Sequence, residues 1–106
     1  MRRAARTDAN QKAIVAALRK AGFSVAITSQ LGNGFPDLVV SGRHWARGGT
    51  WTMLMEVKDG SKAPSERRLT AAEMRFAADW QGEYTIVESP EEALDIMLGR
   101  KAPRYL

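Results

Sequence analysis

Three side chains have the types and spacing to do chemistry together: Asp37, which opens the apolar run LVV, and Glu56 and Lys58, which close the run TWTMLMEVK. A carboxylate at the mouth of an apolar strand costs stability unless a positive charge, a hydrogen-bond network or water meets it. Residues two apart on a strand share a face, so Glu56 and Lys58 project together while Val57 turns to the opposite layer. If the strand begun by Asp37 and the strand ended by Glu56 are antiparallel neighbours, joined through a loop over 41–50, Asp37 meets Glu56. Two converging carboxylates suit a hard divalent cation, because Mg2+ takes oxygen ligands, keeps several waters and is commonly held by one or two acids plus a phosphate. Asp37 and Glu56 are therefore the expected metal ligands, with the backbone carbonyl of Val57 as a third. Such an ion polarises a phosphoryl oxygen and acidifies a bound water. Lys58, on the same face, would orient that water or stabilise charge growing on the phosphate.

Each residue also has a plainer reading. Asp37 suits a turn acid capping the GNGF loop, and Glu56 with Lys58 suits an ion pair at a strand end, worth little where exposed. Taken together, the plain readings require three coincidences at one corner of a sheet, which favours the metal site.

The elements that must hold these residues are well marked. Ile14, Ala17, Leu18 and Ala21 recur at helical steps from Asp8 onward. Asp8 and Gln11 have capping-box spacing, and Gly22 ends the helix. FSVAITSQ reads as a first strand and DLVVSGR as a second, with the glycines of LGNGFP turning the chain between them. In the third, TWTMLMEVK, Trp51, Met53, Met55 and Val57 face one way and Thr52, Leu54, Glu56 and Lys58 the other. Both faces are largely apolar, which puts these two strands at the centre of a sheet covered by helices on both sides. After the polar link DGSKAPSERR, Thr70 and Glu73 make a second capping box, with Leu69 and Met74 at staple positions. That helix should carry Phe76, Ala77 and Trp80 inward and stop at Gly82. EYTIVES is a fourth strand, and Ser89, Pro90 and Glu92 start a last helix over ALDIML. The tail RKAPRYL is expected to be loosely held. The order is helix, three strands, helix, strand, helix: an α/β fold around a mixed sheet.

With 106 residues, 44% of them hydrophobic and 26% charged, the chain has the composition of a soluble globular domain. It contains no apolar run of the ~20 residues that cross a bilayer, and MRRAARTDANQ lacks the apolar core of a secretory signal. The absence of cysteine excludes disulfides and thiolate metal sites, so a cytoplasmic setting is expected. The net charge of +4 favours polyanionic partners.

FPDLVV followed by MEVK, with 19 residues from acid to acid, resembles the PD-(D/E)XK nuclease superfamily. The wider run of NQ, ALRKAG, GFPDLVVSG, MEVKDG, RLT and IVESPEEAL is similar to the small stand-alone VRR-NUC nucleases of phages and bacteria, over about Arg6 to Leu98. The resemblance implies a single VRR-NUC-like domain over 1–106 with a restriction-endonuclease-like α-β-β-β-α-β core and a C-terminal helix. It implies an endonuclease that hydrolyses DNA phosphodiesters with Mg2+ or Mn2+, Asp37 and Glu56 as ligands, and Lys58 as the catalytic lysine. It further implies a preference for branched DNA such as a four-way junction, and a homodimer. Two positions depart from the pattern. Ala13 stands where the family has a glutamate on the first helix, and Glu73 where it often has glutamine. Either Gln11, through a water, or Glu73, from the second helix, is placed to make good the missing acid; helix capping is the alternative for both.

Lys62, Arg67 and Arg68 follow the third strand and are the preferred phosphate contacts. Arg43 and Arg47, with His44 and Trp45, form a basic aromatic loop that suits a nucleic-acid backbone or a solvated hairpin tip; the lone His44 lies too far along the strands for catalysis. Trp51, Trp80, Phe76 and the methionines read as core. Two other classes remain: a nucleic-acid-binding module with this fold that has lost the chemistry, as Ala13 suggests, and a structural subunit of a larger assembly.

Overall fold

The computed structural model describes residues 9–105. Helix α1 (Ala9–Lys20) is followed by strands β1 (Ser24–Ile27), β2 (Leu38–Arg43) and β3 (Thr50–Val57), helix α2 (Ala71–Asp79), strand β4 (Tyr84–Val87) and helix α3 (Pro90–Met97). The strands form one sheet in the order β1-β2-β3-β4. The first two pairings are antiparallel and β3 with β4 is parallel, so the sheet is mixed and β2 and β3 are its central strands.

Alternation along the strands sorts their side chains into two cores. Leu38, Val40, Met53, Met55 and Val87 pack with Ile14, Val15 and Leu18 of α1 and Ala93, Ile96 and Met97 of α3. On the opposite face Leu54, Tyr84 and Ile86 pack under Phe76 and Ala77 of α2, with Val39 and Leu69. Val39, Leu54, Glu56 and Lys58 therefore look toward α2, and the link from β3 to β4 carries the helix that roofs the candidate site.

The helix ends follow their signals. Thr70 Oγ1 accepts from the Glu73 amide at 3.1 Å and Glu73 Oε1 accepts from the Thr70 amide at 2.8 Å, a complete capping box. Ser89 Oγ accepts from the Glu92 amide at 3.0 Å. Gly22 ends α1 with φ +97°. The proposed cap at Asp8 lies outside the described residues.

Three expectations need correction. Trp80 and Met74 are 43% and 47% exposed; only Phe76 and Ala77 carry α2's inward stripe, and Trp80 follows the last helical residue, Asp79. Met74, read as core with the other methionines, stays exposed, although it borders the same groove as Leu69. The tail is tied down: the Ile86 amide donates to the Arg104 carbonyl at 2.7 Å, Arg104 Nε meets Glu92 Oε2 at 2.7 Å, and Tyr105 stacks on Tyr84. Among the described residues no helix is long and apolar enough to cross a membrane.

Candidate active site

The antiparallel register pairs Leu38 with Met55, so the next position outward sets Asp37 beside Glu56. The loop before Asp37 makes this possible. Gly32, Asn33 and Gly34 all take positive φ, at +74°, +56° and +81°, and a Cβ on Gly34 would collide with the Ala72 carbonyl in the first turn of α2. Glycine is thus required at 34 both for its backbone angle and for the close approach of loop to helix. Thr28 then clamps the segment, its amide donating to the Asp37 carbonyl at 2.7 Å and its hydroxyl to the Pro36 carbonyl at 2.8 Å.

Asp37 Oδ2 accepts from the Val57 amide at 2.9 Å. The acid therefore caps β3 and does not cap its own loop, and the Val57 contact that is present is through the N–H. The Asp37 and Glu56 carboxyl groups lie beside one another across the β2–β3 pairing, near enough for the charge of Asp37 to act on Glu56. Burial raises both above the ordinary carboxylate range, and Glu56 is pushed up to about 9 by burial and by the charges of Asp37 and Glu73. Two buried acids side by side oppose each other's ionisation, and the ammonium of Lys58 offsets that only in part, so a proton leaves the pair less readily than it leaves an isolated carboxyl.

Lys58 Nζ stands 3.6 Å from Glu56 Oε2 and 2.9 Å from Glu73 Oε1. Burial alone would lower its affinity for a proton, but the hydrogen bond to Glu73 and the charges of Glu56, Glu73 and Asp37 outweigh that and hold it above the ordinary lysine value. Glu73 is held below its ordinary value: burial opposes ionisation, and the Thr70 amide and Lys58 overcome it. Of the two readings of Glu73, capping is present, and the same carboxylate that caps α2 also grips Lys58. The Glu56–Lys58 pair is no exposed ornament, since the side chains are 4% and 13% accessible. Tyr84, below the same helix, is raised by burial and by the three surrounding acids.

The remaining residues divide by position. Asn10, which pattern reading did not single out for a role, donates to the carbonyls of Lys58 at 2.7 Å and Glu88 at 3.1 Å, tying α1 to the ends of β3 and β4. Its signal was no more than an amide at a helix start. Gln11 is buried and Ala13 is exposed. Arg67 Nε donates to the Lys62 carbonyl at 2.9 Å and its guanidinium pairs with Glu88 at 3.5 Å, so its charge is already engaged. Lys62 and Arg68 are exposed. Arg43 and Arg47 lie at the opposite end of β2 and β3, on the order of 20 Å from Asp37 at ~3.3 Å per strand residue. There His44 Nδ1 accepts from the amides of Ala46 and Arg47 at 3.0 and 3.2 Å, and Trp45 stacks on the imidazole. The lone histidine shapes a turn and is buried.

Among the described residues no group of three or more His, Asp or Glu side chains is assembled to chelate an ion unaided. The donor set does fit a hard cation: all oxygen, and two adjacent buried carboxylates whose repulsion a divalent charge would relieve. Two acids with the rest of the shell left to backbone, water and phosphate is the manner in which Mg2+ binds. Comparison of the chain with family models, with curated proteins and with solved structures returns no match.

Proposed function

We propose that the chain is a metal-dependent DNA endonuclease of the restriction-endonuclease-like, VRR-NUC type, hydrolysing phosphodiester bonds, with branched DNA as its preferred substrate. The observation that carries the reading is the meeting of Asp37, Glu56 and Lys58 under α2, with the acid pair short of one positive charge. Asp37 and Glu56 would hold Mg2+ or Mn2+, with the Val57 carbonyl as a further donor. Bound there, the ion would supply Lewis-acid polarisation of a phosphoryl oxygen and a more acidic water. Lys58, kept protonated by Glu56 and Glu73, supplies an N–H donor for a phosphate oxygen in the transition state, where a fixed charge costs no reorganisation. Glu73 positions that ammonium, and Asn10 fixes the backbone at Lys58 from the other side.

The test is a cleavage panel of linear, flapped, forked and four-way DNA with Mg2+ or Mn2+, run beside Lys58→Ala, Asp37→Asn and Glu56→Gln proteins of verified fold. Cleavage by the parent and its loss in all three variants is expected. A pure parent protein that cuts none of these substrates ends the proposal. The exposed Ala13, which brings no acid to the pair, favours a second reading, a DNA-binding module without chemistry. Such a module would bind DNA with a steep salt dependence and take up no divalent ion at Asp37 and Glu56.

A further inference from the structure

Seven residues beyond Glu73, at the far end of α2, stands an aromatic stack with an open end. Phe35 meets the Phe76 ring edge-on with centroids 5.1 Å apart, and Trp80 lies nearly parallel to Phe76 at 5.5 Å and 16°. Trp80 is nonetheless 43% exposed, and its exposure does not come from looseness. Its Nε1 donates to the Glu83 carbonyl at 3.3 Å. Gly82 lies so close that a Cβ there would stand 2.7 Å from Nε1 and 3.1 Å from Cε2. Backed by Phe76, closely approached by Gly82 and anchored by Glu83, the indole is oriented before anything binds. It borders a cleft of about 410 Å3 lined by Asn33, Ala72, Arg75, Phe76, Asp79 and Trp80.

A flat aromatic wall, a cation and polar groups at the rim match one nucleotide. The base would lie on the indole, the phosphate on Arg75, and the base edge near Asn33 and Asp79. Among the described residues Arg75 forms no ion pair, so its charge is available. Phe76 packs on the sheet face that carries Leu54, Tyr84 and Ile86, and Trp80 stacks on Phe76, so the cleft lies on the same side of the sheet as the carboxylates. At ~1.5 Å per residue Trp80 is about 10 Å from Glu73 in the direction of the α2 axis, so one DNA strand can reach both places.

We infer that Trp80 and Arg75 form a stacking subsite for an unpaired base in a DNA strand whose scissile phosphate lies at Asp37, Glu56 and Lys58. The location of the cut rests on the nuclease reading; the binding does not. A base inside a continuous duplex has both faces covered by its neighbours, so the substrate class is DNA with a single-stranded stretch beside the cut, such as a flap, a fork or a splayed junction arm.

Binding and cleavage test the two claims separately. Lys58→Ala protein in EDTA is titrated with a fluorescein-labelled single-stranded oligonucleotide and with a matched duplex, alone and with Trp80→Ala, Trp80→Phe or Arg75→Ala added, each checked by circular dichroism. Trp80→Ala should weaken single-strand binding about tenfold or more, with Trp80→Phe retaining most of it and duplex binding little changed. Should Trp80→Ala not fold, indole quenching decides: the oligonucleotide should quench a component of emission that Trp80→Phe lacks. Unchanged single-strand affinity with quenching indifferent to Trp80→Phe overturns the inference. So does parent self-association abolished by Trp80→Phe with single-strand affinity intact, which would make the surface a contact between copies. Cleavage of a fork that Trp80→Ala leaves unaltered would sink the subsite and spare the nuclease, whereas Trp80-dependent binding without cleavage would do the reverse.

Discussion

Replacing Glu56 by glutamine tests the electrostatic state of the site with little change to its shape. In the folded protein the Glu56 carboxyl is pushed from 4.5 up to about 9, by burial first and by Asp37 and Glu73 second. The unfolded chain ionises it at the ordinary value and so binds fewer protons between those two points. Stability must fall as pH rises through that window. The contribution of this group is fully present below 4.5 and is lost by about 9. Because pH 7 lies about 2.5 pH units above the ordinary value, at ~1.4 kcal/mol per unit the equilibrium costs the metal-free fold on the order of 3 kcal/mol. That is a large share of the ~5–15 kcal/mol typical of a domain. Glutamine fills the same space and never ionises. In urea unfolding with EDTA, Glu56→Gln should be more stable than the parent by about 3 kcal/mol near neutral pH, with the downward slope between about pH 5 and about pH 8 flattened. A divalent ion at a hundred times its Kd should add about 3 kcal/mol to the parent and nothing to the variant. A variant less stable than the parent in EDTA near about pH 8, or one with an unchanged slope, would refute the reasoning that the buried acid pair is held at a cost until a cation arrives.

Gly34→Ala puts a methyl group against the Ala72 carbonyl at a φ of +81°; a loss of about 2 kcal/mol or more in thermal unfolding is expected. Thr70→Ala removes the cap of α2 and should cost about 1 kcal/mol in the same assay. Arg104→Ala removes the guanidinium from the buried Glu92 carboxylate, leaving it Lys101 and the Glu88 amide, and should cost about 2 kcal/mol at neutral pH, with faster proteolysis of the tail. Burial opposes ionisation of Glu92, but hydrogen bonds from Arg104 above all hold it below its ordinary value, so its contribution is present above 4.5 and is lost as pH falls through the depressed value. The penalty of Arg104→Ala should therefore shrink in acid urea titrations.

What the sequence made legible depended on local signals. The two-residue alternation of TWTMLMEVK separates Met53 and Met55 from Leu54 and Glu56, and the antiparallel register then forces Asp37 against Glu56. Thr70 with Glu73, and Ser89 with Glu92, announce helices within four residues, the range over which caps act. The tail was hidden because its order comes from pairing across the fold, Arg104 with Glu92 and the Arg104 carbonyl with the Ile86 amide, which no periodicity encodes. Trp80 was misplaced inward because it continues the helical spacing of Phe76 and Ala77, whereas the helix ends at Asp79 and the chain turns extended at Trp80. The double duty of Glu73 was out of reach for a related reason: capping is a local pattern, and the grip on Lys58 is a meeting of two elements.

The most direct measurement is titration calorimetry of Mn2+ into metal-free protein, for the parent, Asp37→Asn and Glu56→Gln, all folded by circular dichroism. Saturable uptake by the parent that vanishes in both variants is the expected result. Uptake undiminished by either substitution, or none by the parent even with DNA present, would contradict a cation site at these two acids.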